Sequence, residues 1–326
     1  MKALVYEGVE DVAYRDMPDP TPGEGEHLIK VEAVGICGSD MHAFLGHDER
    51  RPAPLILGHE AAGVIIGGPK DGVRVTVNPL VTCIDCAACN AGRENLCPDR
   101  QIISMPPREG AFAQYLSMPD RNLIEVPDGV SLDKAALAEP LAVSWHAARL
   151  ASEALHPSME RKALVLGGGA IGLAAALALR AMGFEYITIS EPIKARREYL
   201  RDHCGQEVCE RAQESYPIII DAVGYAVTRD TSSRLVEPGG VIAHVGLGEA
   251  TGGLDMRRVT LQEVTFIGTY TYTMQDFRDT ARAIFEGRLG PLTWVERRGL
   301  EEGQAAFDDI LAQRVVAPKI VLRPWD

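Results

Sequence analysis

The chain has 326 residues, with 33 Lys plus Arg against 46 Asp plus Glu, a net charge of −13, and 7 cysteines. At roughly 150 residues per domain this length predicts about two domains, each able to bury a core. Hydrophobic residues at 46% and charged residues at 24% exclude a disordered, collagen-like or coiled-coil chain, and the acidic balance argues against a nucleic-acid partner.

The start, MKALVYEGVEDVAYRD, lacks the basic and apolar regions of a secretory signal, and no later window approaches the ~18 apolar residues of a membrane span. A cytoplasmic protein without a membrane partner is expected. Residues 1–35 carry short alternating apolar runs, broken by a turn-rich stretch at 18–25, and predict strands. From Cys37 to about Arg121 the chain is loop-rich, with short strands near 73–77 and 111–116. Residues 134–152 read as a helix interrupted by Pro140, which either kinks it or starts a new turn. At residue 162 the texture changes. ALVLGGG, YITIS, YPIIIDAVG, GGVIAHVGL and VTFIGTY are short apolar runs alternating with helical segments, which predicts a parallel sheet covered by helices. The tail holds an amphipathic helix over 302–313 and a last strand in APKIVLRP.

Gly167-Gly168-Gly169-Ala170-Ile171-Gly172 matches G-x-G-x-x-G between a strand and a helix, the context in which that pattern binds a dinucleotide. Gly167 permits the tight turn, Gly169 lets a pyrophosphate approach the backbone, and Gly172 allows close helix–strand packing. Glu191, 19 positions after Gly172, sits where a carboxylate hydrogen-bonds ribose hydroxyls and repels a 2′-phosphate, which favours NAD over NADP. Arg196 and Arg197, one helical turn on, are the residues that would hold a phosphate instead.

Four cysteines crowd into fifteen positions. Cys83, Cys86, Cys89 and Cys97 are spaced C-x2-C-x2-C-x7-C, which suits a structural zinc in a lobe of about 78–100. Four thiolates leave no coordination position for a substrate. Cys204 and Cys209 read as incidental thiols. Three further clusters are dispersed: Cys37 in GICGSDMH, His59 and Glu60 in LILGHEAAGVI, and Glu139 in LAEPLAV. Each taken alone has a bland reading, as a core cysteine, a turn or a helix cap.

Taken together and in order, GICGSDMH, GHEAAG, the cysteine lobe, AEPLAV, GGGAIG and the SEP around Glu191 resemble the zinc-dependent medium-chain alcohol dehydrogenases, within them the sorbitol, threonine and butanediol dehydrogenase branch. The resemblance spans the whole chain. It implies an α/β fold: a GroES-like β-rich catalytic domain from residues 1–141 and 277–326, and a Rossmann doubly wound domain over 142–276, with the active site in the cleft between them. It implies two zinc ions per chain. Cys37 and His59 ligate the catalytic one. Glu60 and Glu139 are ligands or partners of its bound water, and which of them binds stays open. Glu139 stands where liver-type alcohol dehydrogenases use a cysteine. Asp40 orients His59, Ser39 and His42 relay the alcohol proton to solvent, and Phe44 faces the substrate. Tyr270 and Tyr272 lie near nicotinamide, at a subunit contact or in plain core or surface.

The implied reaction is NAD-linked oxidation of a secondary alcohol, in a polyol, diol or sugar-derived substrate, by a homodimer or homotetramer. Threonine oxidation would need a carboxylate-binding arginine that the sequence does not place. A non-catalytic NAD-binding protein is disfavoured by the intact Cys37, His59, Glu60 and Ser39, and a zinc-ribbon nucleic-acid binder by the net charge. The chain is short for the family between His203 and Tyr216, which bears on the adenine side of the cofactor pocket.

Overall fold

The alternating runs at the start of the chain pair as strands in the computed structural model, which describes residues 1–326. Strands β1 (Lys2–Gly8) and β2 (Asp11–Asp16) form an antiparallel hairpin, and β3 (Glu26–Gly35) leads into the short helix α1 (Gly38–Phe44). There follow β4 (Leu55–Ile56), β5 (Glu60–Ile66), β6 (Arg74–Val77), β7 (Leu80–Val81), helix α2 (Ala87–Asn90), β8 (Gln101–Ile102), β9 (Tyr115–Pro119), β10 (Leu123–Glu125) and helix α3 (Leu132–Ala136). Helix α4 (Ala138–Ala154) places Pro140 in its first turn, where the missing N–H costs nothing. Pro140 therefore belongs to a new helix rather than to a kink.

The expected strand over 111–116 lies later, as β9. The N–H groups of Gly110 and Ala111 are used instead on the carbonyls of Ile56 and Gly58.

The second half alternates β11 (Lys162–Leu166), α5 (Ala170–Ala181), β12 (Tyr186–Ser190), α6 (Lys194–Asp202), β13 (Glu207–Cys209), β14 (Tyr216–Asp221), α7 (Ala226–Leu235), β15 (Val236–His244), α8 (Met256–Leu261) and β16 (Thr265–Gly268). The chain then adds α9 (Met274–Phe285), β17 (Val295–Gly299), α10 (Gly303–Leu311) and β18 (Lys319–Arg323).

Contacts divide these elements into two units. The first is Met1–Glu139 with Thr273–Glu286 and Val295–Asp326, and the second is Pro140–Tyr272 with Gly287–Trp294. A single return to the first domain at about 277 was expected, so the division differs there. Helix α9 packs on α3, with Phe285 against Ala135 and Ala136. Leu289, Leu292 and Trp294 instead sit beside Leu173 and Leu177.

The first unit is built on a seven-stranded sheet in the order β10-β6-β5-β3-β18-β17, with β9 also on β3, plus the smaller sheet β2-β1-β4. Leu4, Ile29, Val31, Phe44, Ile56, Phe112 and Phe307 are among its fully buried core. Strand β18 lies antiparallel to β3, pairing Val321 with Gly35, so the end of the chain reaches the residues just before Cys37.

The second unit is a six-stranded parallel sheet in the order β13-β12-β11-β14-β15-β16. This is the doubly wound order, whose strands reverse direction of travel at β11 and β14 and bind ligands outside their carboxyl ends. The shortening between His203 and Tyr216 has a structural counterpart. Residues 210–215 carry the chain from β13 to β14 without a helix. The link crosses three strand spacings, ~14 Å, and returns ~16 Å along the sheet, ~21 Å in all. The seven Cα steps from Cys209 to Tyr216 reach ~23–25 Å, so a nearly extended connection suffices.

Candidate metal and cofactor sites

Three residues from two elements converge in the first unit. Cys37 precedes α1, His59 ends the loop before β5, and Glu60 begins β5. One ligand atom from each lies within 4.8 Å of the others. β3 and β5 pair antiparallel with Gly35 opposite Glu60, which places the carboxylate beside the entrance to α1. His59 and Glu60 are buried.

Asp40 is completely buried and organises this corner. One carboxylate oxygen accepts the Cys37 N–H at 2.9 Å and the other the Gly58 N–H at 3.1 Å. Oδ1 also faces His59 Nδ1 at 3.5 Å, long for a hydrogen bond but close enough to fix the ring's charge environment. Ser39 Oγ meets His59 Nε2 at 3.5 Å. Burial opposes a charged His59, but the Asp40 and Cys37 charges outweigh it and hold the ring well above the usual histidine range. For Asp40 burial works upward, while His59 and Arg51 bring the carboxyl below its ordinary value.

The donor set fits a metal ion. His59 Nδ1 and Glu60 Oε2 are buried polar atoms without a hydrogen-bond partner. A cation among thiolate, imidazole and carboxylate would satisfy groups that are otherwise costly to bury. Three protein ligands leave a position open, the hallmark of a catalytic rather than a structural zinc site. Glu139 is buried in the first turn of α4 and is not part of the converging trio.

Two residues that sequence reasoning did not single out belong here. Lys319, the first residue of β18, is buried and donates from Nζ to Glu60 Oε1 at 2.6 Å and to the Ile36 carbonyl at 2.8 Å. Burial works against its charge, but Glu60 and then Cys37 overcome this and raise its pKa. Arg51, also buried, donates to the carbonyls of Ser39 and Ser104 and pairs with Asp48. The signal for Lys319 was a lysine at the start of an apolar strand. Nothing local pointed to Arg51.

Phe44 corrects an expectation. It is fully buried in the first unit's core, its ring 4.8 Å from that of Phe307, and does not face a substrate. Five residues after Ser39 on a helix is a turn of ~140° from it, toward the opposite face. His42 is exposed, on the surface side of α1.

The four lobe cysteines also converge. Cys83 Sγ is 3.9 Å from Cys89 Sγ and 3.4 Å from Cys97 Sγ, and all four ligand atoms fall within 4.8 Å. Thiolates ~2.3 Å from a tetrahedral zinc stand ~3.8 Å apart, whereas a disulfide needs ~2.05 Å. The Cys89 N–H directed at Cys86 Sγ brings that thiol down to about 7, close to a ready thiolate. This cage fits a zinc with no open position. Cys204 is pushed up to about 11 by burial and reads as an inert thiol.

In the second unit, the glycine run joins β11 to α5. Gly167 has φ +95°, open to glycine at little cost. A Cβ on Gly172 would come within 1.8 Å of the Gly167 carbonyl, so only glycine lets the helix sit this close. Gly169 is the N-cap of α5 and offers no side-chain cap, and Ala170 and Ile171 open the helix, so its first N–H groups remain for an anion. Glu191 is buried at the end of β12. Its Oε2 accepts the Gly168 N–H at 2.9 Å and its Oε1 the Ile193 N–H at 2.8 Å. Arg196 stands 3.5 Å from Glu191, and Arg197 is spent on the Glu191 and Pro192 carbonyls and on Glu210. Tyr272 is buried and Tyr270 half-buried.

Comparison with known proteins agrees with both halves. Residues 23–128 match the alcohol dehydrogenase GroES-like domain, and residues 170–286 match the zinc-binding dehydrogenase domain. The chain is 32% identical over 308 residues to L-galactonate-5-dehydrogenase of Escherichia coli, covering 89% of this chain and 88% of that protein. It is 37% identical over 269 residues to sorbitol dehydrogenase of Bacillus subtilis, covering 76% and 75%. Its structure superposes on acetophenone reductase from Geotrichum candidum in complex with NAD, with a TM-score of 0.87, 26% identity, and coverage of 100% and 97%.

Proposed function

We propose, from the premise that this chain belongs to the zinc-dependent medium-chain alcohol dehydrogenase superfamily, that it oxidises a secondary alcohol of a polyol, diol or sugar-derived substrate to a ketone with NAD. The observation that carries the reading is the convergence of Cys37 with the buried His59 and Glu60, whose Nδ1 and Oε2 have no hydrogen-bond partner. The relatives named for galactonate and sorbitol support the substrate class.

Cys37, His59 and Glu60, with Glu139 as a partner of the bound water or a further ligand, would hold a zinc ion, which would supply the Lewis acidity that lets an alcohol lose its proton near neutral pH. The open N-terminus of α5, behind the Gly167–Gly172 turn, would hold the pyrophosphate of NAD, which would supply the hydride acceptor. Ser39 Oγ, half-buried and adjacent to His59, takes the proton, and exposed His42 delivers it to solvent. Asp40 and Arg51 hold α1 and His59 in place for this transfer. The Cys83–Cys86–Cys89–Cys97 cage would hold a second zinc that stabilises the lobe and, with no open position, would take no part in chemistry. The buried carboxylate of Glu191, beside the glycine turn, favours NAD over NADP. Glu191→Ala should narrow the ratio of kcat/KM values for the two cofactors, and an unchanged ratio would remove Glu191 from the ribose.

No helix is long and apolar enough to cross a membrane. The seven free cysteines accord with a reducing cytoplasm. Self-association into a dimer or tetramer belongs to the same reading. The sheet ends in β16, an edge strand with an exposed Phe266. Light scattering would test it.

The deciding experiment follows NADH absorbance with alditols, vicinal diols, sugar acids and threonine, with and without a chelator. Chelator-sensitive NADH formation with one polyol or sugar-acid class is expected. Turnover that survives complete removal of zinc would refute the reading.

A further inference from the structure

The buried cation beside Glu60 has no place in the proton and hydride chemistry above. Lys319 is 4% exposed, so its ammonium has given up water. A buried ammonium is tolerated only where it is paired and hydrogen-bonded. Its two partners are Glu60 Oε1 and the carbonyl of Ile36, the residue immediately before Cys37. One nitrogen therefore ties the C-terminal strand to both sides of the candidate metal site.

The other carboxylate oxygen, Glu60 Oε2, is buried and unpartnered. It lies in a slot over Gly35, where a Cβ would come within 2.0 Å of it. Glu60 is thus gripped at one oxygen and free at the other. A carboxylate beside a metal binds through one oxygen or through two. A catalytic zinc needs one position left for water or substrate, and a two-oxygen Glu60 would occupy it.

We infer that Lys319 is a positioning residue: it withholds Glu60 Oε1 from the metal, so that Glu60 is a one-oxygen, releasable ligand and a coordination position stays open for the alcohol. The inference rests on the reading of Cys37, His59 and Glu60 as a metal-holding set. Lys319 also offsets negative charge in the same buried space, from Glu60, Cys37 and Glu139.

The test uses the full-length protein with Co²⁺ in place of zinc. Chelator competition reads its affinity, and visible absorption reads the coordination number. In Lys319→Met, Glu60 regains both oxygens. The catalytic Co²⁺ should be held about tenfold more tightly, its visible band should weaken as coordination number rises, and KM for the alcohol should rise more than kcat falls. Lys319→Arg should restore the wild-type spectrum. Should Lys319→Met fail to fold, the smaller Lys319→Ala, which also removes the donor, is read by the same criteria. A lower Tm with wild-type affinity and spectrum would make Lys319 a structural cation only and overturn the inference. A distinct result, one metal per wild-type chain with none lost in Cys37→Ala, would overturn the metal reading beneath it.

Discussion

Asp40 has no exposed surface, yet it touches Cys37, Gly58 and His59. Its value lies in two acceptor oxygens aimed in fixed directions. Asp40→Asn turns one of them into a donor pointed at an N–H, and should weaken retention of the catalytic metal ~10–100-fold. Chelator competition measures this, and an unchanged dissociation constant would leave Asp40 with no part in holding His59. Phe44 makes the opposite case. Packed on Phe307 in the core, it should cost ~3–5 kcal/mol on truncation to alanine and leave KM for the alcohol alone. Urea denaturation beside steady-state kinetics separates these outcomes. A change in KM with little loss of stability would return Phe44 to the substrate. Cys37, His59 and Glu60 were legible because each sits in a distinctive short string. Lys319 was not, because its partner Glu60 lies 259 residues away in sequence.

At the scale of elements, the turn from β11 to α5 was read correctly down to its glycines, because the demands on it are local. Gly167 needs a positive φ, and Gly172 needs the absence of a side chain. Gly172→Ala would press a methyl group into the Gly167 carbonyl. It should weaken NAD binding more than tenfold, as read by quenching of tryptophan fluorescence or by calorimetry. Wild-type affinity would show that the turn has slack. The strand near 111–116 was misplaced for the converse reason. Its apolar residues suit a strand, but the backbone groups of Gly110 and Ala111 were already committed to Ile56 and Gly58, so pairing with β3 begins at Tyr115. Pro140 was ambiguous in sequence, since a proline either kinks a helix or opens one. The break at Leu137 between α3 and α4 decides for opening.

At the scale of the molecule, the two candidate metal sites would have separate tasks, and their emptying should have separate consequences. The Cys83–Cys86–Cys89–Cys97 cage closes a lobe that carries only short elements around α2, so a metal held there would contribute folding energy directly. Cys97, fully buried, is its last ligand in sequence. Cys97→Ser should lower Tm and bound zinc to about one per chain. Its remaining folded fraction should keep the chelator-sensitive chemistry. Differential scanning calorimetry with metal analysis decides this. A variant that melts like the wild type would dissolve the structural role.

The sequence by itself determined what depends on neighbours along the chain. This covers the strand–glycine–helix turn, the acid at the end of β12, the cysteine spacing of the lobe, and the alternation that makes the second unit a parallel sheet. Only the tertiary structure decided what depends on distant segments. It brought Cys37 beside His59 and Glu60 through the pairing of β3 with β5, and it laid β18 against β3 so that Lys319 reaches Glu60. It also turned Phe44 into the core. Local motifs are fixed by dihedral preference and hydrogen bonding over a few residues. A buried charge, by contrast, must be paired wherever the fold delivers its partner, and sequence separation carries no record of that.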